Sequence, residues 1–398
     1  MITLLPFRGE DMKNIKYFCG MLFLSFFLVM QITSCGGGGD DAAPAPTPGT
    51  PFITSDLAGT WYMFATNGAS VGVPTAGSIT AGNLRGTLIL DSLGQVVLGG
   101  SYTRSPNGSA SITGGLIGID SSGLLSSGSS SFTTNLGVNF YLGSGQMDST
   151  KNVLSFVTST NYGEYDFITA IRAAGGFSSL DLAATWHVFG AGGAYGKITV
   201  SDAGNGTRAA VASPGGGGFF TIDGNGLLNT GITGTSYVVT GSIPPNLYLA
   251  QGKINLSKDI MFFVASTDSL QYDLVTAIRA GGTFAPADLS GTWRIYGASS
   301  SAIDSTDRDT LNGTVTINSA GNVTGGSYTR SDGGKASLTG GTVTIDNAGV
   351  LGGSATTNTG DNIAFVSGKM NAAKGMMSLV GVTTIGGEQV SLFCIKVN

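Results

Sequence analysis

The sequence predicts an all-β protein made of three tandem small antiparallel up-and-down β-barrels, about eight strands each. Three observations predict it. Asp56-Leu57-Ala58-Gly59-Thr60-Trp61 returns as Asp181-Leu182-Ala183-Ala184-Thr185-Trp186 and as Asp288-Leu289-Ser290-Gly291-Thr292-Trp293, and these segments hold the only three Trp of the 398 residues. Each opens a stretch of β-pattern, with no helical periodicity longer than about two turns beyond the N-terminus. In the first stretch Asp91, Asp120 and Asp148 mark turns 29 and 28 residues apart, a hairpin cadence. Eight short strands leave two exposed edges, and closing into a barrel removes them. Frequent strand Gly suits a small, coiled barrel. A β-sandwich, or one larger assembly built from all three copies, satisfies the same pattern.

In chain order, Lys13 and Lys16 form a positive region, and Tyr17 to Met30 is apolar but short for a bilayer span. Residues 1–34 read as a signal peptide. Met12-Lys13 is a more natural start than Met1, so residues 1–11 read as a candidate start-site artefact. Ile32-Thr33-Ser34-Cys35 follows. This string resembles the lipobox of bacterial lipoproteins, an aliphatic residue and two small residues before an obligatory Cys. The resemblance implies a diacylglyceryl group on Cys35, which becomes the first mature residue, and a lipid-anchored location in the bacterial cell envelope. Its alternative is an ordinary secretory signal with an incidental Cys. Similarity to enterobacterial lipoproteins, with no Asp at Gly36, further implies the outer membrane. Residues 35–54 carry a Gly run and then a Pro-rich run, the composition of a flexible tether.

Composition narrows the classes. Charged residues are only 11% of the chain, and Gly numbers 65. Losing Arg8, Lys13 and Lys16 together with Glu10 and Asp11 takes the net charge from -5 to -6. With no basic stripe, nucleic acid is not an expected partner. Cys19 goes with the signal and Cys35 is the acylated residue, which leaves Cys394 without a disulfide partner. In the last apolar strand, Cys394 reads as a small buried hydrophobe.

The copies span 55–174, 179–281 and 286–398. In the first, strands are expected at 60–66, 85–90, 95–104, 109–119, 124–133, 139–147, 153–159 and 165–173. Gly100-Ser-Tyr-Thr-Arg104 returns as Gly326-Ser-Tyr-Thr-Arg330 in the third copy and is lost from the second. Tyr165-Asp-Phe-Ile-Thr-Ala-Ile-Arg172 returns as Tyr272-Asp-Leu-Val-Thr-Ala-Ile-Arg279, and the third copy ends Gln389-Val-Ser-Leu-Phe-Cys-Ile-Lys396. Each copy therefore opens on Trp and closes on a cation. This pairing resembles the lipocalin and wider calycin pattern, in which a Gly-x-Trp opens strand one and a last-strand Arg packs across the indole. The resemblance implies structural braces at Trp61 with Arg172, Trp186 with Arg279, and Trp293 with Lys396. Ala184 in place of Gly and Lys396 in place of Arg depart from it.

No catalytic, cofactor or metal constellation emerges. Gly68-Ala-Ser-Val-Gly72 matches a nucleophile-elbow string, but no helix follows and His187 is the sole His. His187, beside Trp186, reads as capping the barrel end. The turn Asps offer too few carboxylates per loop for calcium. Asp304, Asp307 and Asp309 form the densest acidic cluster and read as a solvated loop. The interior is lined either by Leu88 and Leu90 or by Thr87 and Ile89, and either by Leu154 and Phe156 or by Val153 and Val157. Non-enzymatic binding or surface interaction is the leading function, with loops Ser70–Asn83 and Ser299–Asp309 as contact sites for a protein or surface partner. The alternative is a carrier of lipid or small apolar ligands inside the barrels.

Overall fold

A computed structural model of the chain describes residues 50–68, 82–105, 108–126, 128–202, 208–213, 216–229, 247–267, 272–300 and 308–397. The first copy contains β1 (Gly59–Gly68), β2 (Asn83–Leu90), β3 (Ser101–Ser105), β4 (Gly108–Leu116), β5 (Leu124–Leu125), β6 (Ser131–Thr134), β7 (Asn139–Met147), β8 (Val153–Thr160) and β9 (Tyr165–Arg172). The second has β10 (Ala184–Gly190), β11 (Tyr195–Asp202), β12 (Arg208–Ser213), β13 (Gly216–Ile222), β14 (Leu227–Asn229), β15 (Leu247–Ile254), β16 (Ile260–Thr267) and β17 (Tyr272–Arg279). The third has β18 (Gly291–Ser300), β19 (Arg308–Ile317), β20 (Val323–Arg330), β21 (Lys335–Ile345), β22 (Val350–Thr357), β23 (Ile363–Met370), β24 (Met376–Thr383) and β25 (Gln389–Lys396). Every pairing is antiparallel, and all three sheets close: β9 pairs with β1, β17 with β10 and β25 with β18. The fold is all-β, as the sequence predicts.

The strand read at 124–133 is interrupted. β5 and β6 both pair with β7, so they are two pieces of one barrel strand. Between them the chain is Ser and Gly, with nothing apolar to hold a pleat, and Gly128 takes a left-handed φ of 82°. The Ser130 hydroxyl accepts the Gly118 N–H at 3.0 Å. The strand read at 95–104 is also shorter, entering through isolated bridges before β3 begins.

Turn carboxylates and amides account for the hairpin cadence. Asp91 Oδ1 accepts the N–H groups of Leu93 and Gln95 at 2.9 and 2.8 Å. Asp120, Asp223, Asn318 and Asp346 repeat this with the residues two and four positions on. Such side-chain turns hold the chain where no ladder partner exists.

One face of each barrel points inward. Leu88, Leu90, Leu154 and Phe156 belong to the first interior, with Trp61, Phe132 and Phe140. Val153 and Val157 face out, yet they too are buried. They join a fourth apolar cluster drawn from all three copies: Phe64, Phe167 and Ile171; Ile260, Phe262 and Ile278; Tyr296, Phe393 and Ile395. Phe262 meets Phe393 edge-on at 5.2 Å across two barrels. The last two strands of the first and third copies are therefore buried on both faces, with six consecutive buried residues each, and so lose strict apolar–polar alternation.

The barrels close a ring. β1 and β2 pack on β16 and β17 of the second barrel; β10 packs on β23 and β24 of the third; β18 and β19 pack on β8 and β9 of the first. Each copy offers its opening strands to the closing strands of the next. Polar bonds cross the same joints, with Asn83 Nδ2 donating to the Ala265 carbonyl at 3.2 Å and Asn371 Nδ2 donating to Asp259 at 2.9 Å.

Candidate functional site

The two ends of the barrels differ, and the difference begins in the sequence around each Trp. Nine residues before it stands a Phe: Phe52, Phe177 and Phe284. A 3-10 turn follows, Thr54–Leu57, Ser179–Leu182 or Pro286–Leu289. Each indole N–H then donates back to the carbonyl of that turn's Leu at 2.7 to 2.8 Å. Trp61, Trp186 and Trp293 are fully buried.

The last-strand cations lie over these rings. Arg172 sits 4.4 Å from the Trp61 ring centre, Arg279 5.8 Å from Trp186 and Lys396 Nζ 5.3 Å from Trp293. Their N–H groups also satisfy carbonyls at the turn. Arg172 donates to Asp56, Ala58 and Lys151; Arg279 to Asp181, Ala183 and Lys258; Lys396 to Asp288. Gly59 and Gly291 take φ of 127° and 131° beside the cation, whereas Ala184 keeps a negative φ.

A second cation at this end carries no sequence motif obvious beforehand. Lys151, Lys258 and Lys374 are the only described non-Gly residues with positive φ, at 61°, 60° and 60°. Each reaches the Asp of its own repeat: Asp56 at 2.7 Å, Asp181 at 2.6 Å and Asp288 at 2.8 Å. Burial would raise these carboxyls, but the Lys and a backbone N–H from the turn outweigh it and hold them below the usual range. The available signal was the turn itself, in which an Asp or Asn stands three residues before each Lys: Asp148 before Lys151, Asn255 before Lys258 and Asn371 before Lys374. Beside it, Lys253 and Lys369 are buried over Phe177 and Phe284 at 4.9 and 4.8 Å. Burial draws the Lys253 ammonium down to about 8.

The opposite end of each barrel carries ion clusters. Arg104, from the Gly-Ser-Tyr-Thr-Arg strand, is paired with Glu164 and, at 2.7 Å, with Asp166. Burial raises both carboxyls despite the guanidinium. Arg330 takes the matching place in the third barrel, with Glu388 at 2.7 Å and Asp309 at 2.8 Å. The second barrel lost that strand motif, and its Asp273 instead meets Arg308 of the third barrel at 3.3 Å. Arg308 also donates to Thr66 of the first at 3.1 Å, so all three barrels meet there.

The longer connections leave from this far end, between β1 and β2, β14 and β15, and β18 and β19. Ser70 and the elbow string from residue 69 onward lie outside the described residues, as do Asp304 and Asp307. Ser299, Ser300, Arg308 and Asp309, expected in a loop, are strand residues, so that connection is shorter than its sequence suggests. Asp309 is taken up by Arg330.

His187 does not cap its own barrel. Trp186 faces inward, so His187 faces out, 7% exposed, toward the third barrel. Burial first, then Lys197 and Lys369, lowers its imidazole to about 4. Cys394 is a free, fully buried thiol inside the third barrel, and burial pushes its ionisation well up. Cys35 lies outside the described residues.

Two hollows bear on binding. The third interior keeps a cavity of about 30 Å³, lined by Ile295, Leu311, Leu338, Leu379 and Cys394 among others. A water there would find no polar partner. The other is a cleft of about 270 Å³ between the first two barrels, lined by Tyr62, Phe64, Arg85, Thr87, Ser101, Thr103, Leu227 and Gln251 among others.

No protein-family model matches the chain, and no curated protein matches it. Solved structures that resemble it include a double mutant of Transferrin Binding Protein B from Haemophilus parasuis Hp5, with 10% identity, 89% of this chain and 78% of that chain covered, and a TM-score of 0.27. Isotype 1 Transferrin binding protein B from serogroup B Neisseria meningitidis gives 10%, 86%, 77% and 0.27. HpuA from Kingella denitrificans, in complex with human haemoglobin, gives 13%, 56%, 90% and 0.29.

Proposed function

We propose that this chain is a bacterial cell-envelope lipoprotein, anchored through lipid on Cys35 and placed in the outer membrane, whose three barrels form a rigid non-enzymatic scaffold that binds a protein or surface partner through its far-end loops. The observation that carries this reading is the division of labour between the two ends. The tight turns with their Asp and Asn caps, and the Trp–cation pairs, gather where the chain enters the first barrel at Phe52. The longer connections leave from the other end. Loops that vary on a fixed scaffold are the usual carriers of recognition.

The entry end also exposes aliphatic side chains, Leu93 at 65% and Leu98 at 76%, with Ile53 and Leu116 nearby in the first barrel. Side chains of that kind suit the end nearer a bilayer. The Trp–cation pairs act as structural braces in this reading, closing the entry end, and take no ligand. The filled third interior weighs against a carrier, because about 30 Å³ is far below the roughly 300 Å³ at which small-molecule pockets begin.

Native mass spectrometry after exposure to envelope lipid extract tests the choice. An apo mass is expected for the chain without its anchor. Lipid released only on unfolding would return the barrels to the carrier reading. The anchor is tested separately: Cys35→Ala is expected to abolish metabolic labelling with palmitate and to move the chain from membrane to soluble fractions.

A further inference from the structure

We infer that the cleft between the first and second barrels binds a small hydroxylated carboxylate, of the chemical class of acidic sugars. Arg85 carries the inference. Arg104, Arg172, Arg279, Arg308 and Arg330 are held by carboxylates or carbonyls, and Arg294, the other described guanidinium without such a partner, has its Nε buried rather than facing this cleft. Arg85 donates no hydrogen bond and has no ion-pair partner among the described residues, in a chain with an excess of acids. It stands partly exposed on the wall of a cleft of about 270 Å³. That volume suits one ring-sized group, at the lower edge of small-molecule sites.

The rest of the lining fits the same ligand. Tyr62, partly exposed beside the buried Phe64, gives the first-barrel side of the cleft an aromatic edge that the apolar face of a sugar ring can cover. Thr87, Ser101 and Thr103 place a group of hydroxyls on that wall, and Gln251 faces them from the second barrel. Thr103 shares a bond with Ser109 at 3.0 Å, and Gln251 Nε2 makes only a long 3.4 Å contact with Asn229. Each keeps capacity to donate or accept. A lone guanidinium matches one carboxylate through two parallel bonds. Lys253 Nζ lies 5.3 Å from the Tyr62 ring but is buried and donates to the Asn225 and Ile254 carbonyls, so Arg85 is the cation that faces a ligand and a phosphate dianion would leave one negative charge without a direct partner. Asp223 acts on Tyr62 from the turn before β14, but makes no ion pair with Arg85.

The ring symmetry sharpens the point. Register from each Trp makes Tyr195 and Asn312 the counterparts of Arg85. Neither carries charge, so a cation stands at this position in only one of the three joints. A requirement of packing alone would fall on all three.

The test is calorimetric titration of the chain from residue 35 onward with D-glucuronate, D-glucose and inorganic phosphate at fixed ionic strength. Saturable binding of glucuronate is expected, at least about tenfold tighter than glucose or phosphate. Arg85→Gln is expected to bring glucuronate down to the glucose level, with Arg85→Lys between. Glucose binding as well as glucuronate, phosphate binding tighter, no saturable glucuronate binding, or an unchanged Arg85→Gln would each overturn the site. If Arg85→Gln lowers Tm, Gln251→Leu on the facing barrel is read instead, and undiminished binding there also overturns it. None of these outcomes bears on the far-end loops or the lipid anchor.

Discussion

At the scale of single residues, the cations over the Trp rings do two things at once. Arg172 covers an indole and also satisfies the carbonyls of Asp56, Ala58 and Lys151. Arg172→Met keeps much of the packing and orphans those acceptors, so a loss of about 2–3 kcal/mol is expected in denaturant unfolding. A loss below half of that would mean that packing, not hydrogen bonding, fixes the Arg. His187 makes a pH prediction. Its unfolded imidazole ionises near 6.5 and its folded one near 4. Between those values the unfolded chain holds more protons. The stability tied to the neutral ring is therefore complete above about pH 6.5 and is lost as the pH falls toward 4, by up to about 3 kcal/mol. Lys197, Lys369 and Asp346 surround it and do not reverse this sign. His187→Tyr installs the residue type that the first barrel uses at Tyr62. The difference in stability between pH 7.5 and pH 4.5 is expected to shrink by that amount. An unaltered pH dependence would refute the assignment.

At the scale of elements, the Asp148–Asn152 hairpin and its two counterparts show how much a turn is worth. Lys151, Lys258 and Lys374 hold a left-handed backbone and a partly exposed ion pair. Such a pair contributes at most about 1 kcal/mol. Lys258→Asn tolerates the backbone and loses the pair with Asp181 and the distant 5.8 Å contact over Phe177, so a cost of about 1 kcal/mol is expected. Lys258→Val adds a β-branched side chain at positive φ, and a further cost of about 1–2 kcal/mol follows. Equal costs in thermal melts would show that the backbone is not strained. Strands and turns of this kind are legible in the sequence because the cause is local. Asp91 captures N–H groups two and four residues on, and β7 falls at 139–147 as read, because alternation and turn residues specify both ends. The Phe52, Phe177 and Phe284 positions escape notice because an isolated Phe before a repeat has no periodicity. Arg104 is visible as part of a repeated pentapeptide, but its partners Glu164 and Asp166 lie about sixty residues away, and only barrel closure brings them together. Arg85 carries no signal at all, since its meaning depends on which neighbours are missing.

At the scale of the whole molecule, the fourth cluster makes the three barrels one cooperative body. The apolar-rich strands β8, β16 and β24 break strict alternation, but nothing in them says what covers the outer face. Phe262 and Phe393 come from copies whose order in space only the fold reveals. A single unfolding transition is expected for residues 50–398 by circular dichroism and by calorimetry alike. Phe262→Ala should lower stability by about 3–5 kcal/mol. Three separated transitions, with only the second shifted by Phe262→Ala, would show that the barrels melt independently.

The ring has a consequence for valence. Each barrel presents one donor face, made of its opening strands, and one acceptor face, made of its closing strands. Three copies on one chain use up every face, because the rotation between neighbours closes after three. A chain ending at residue 281 would keep one face of each kind unmatched, the closing face apolar through Val153, Val157, Phe167 and Ile171, and the opening face carrying Phe189 and Ala191 beside His187. Such a two-barrel protein should associate head to tail as concentration rises, through faces that the full chain keeps for itself. Sedimentation velocity over a concentration series distinguishes the two, with the full chain remaining monomeric. The number of repeats then sets solubility, and loss of one repeat by recombination would produce a polymer-forming protein.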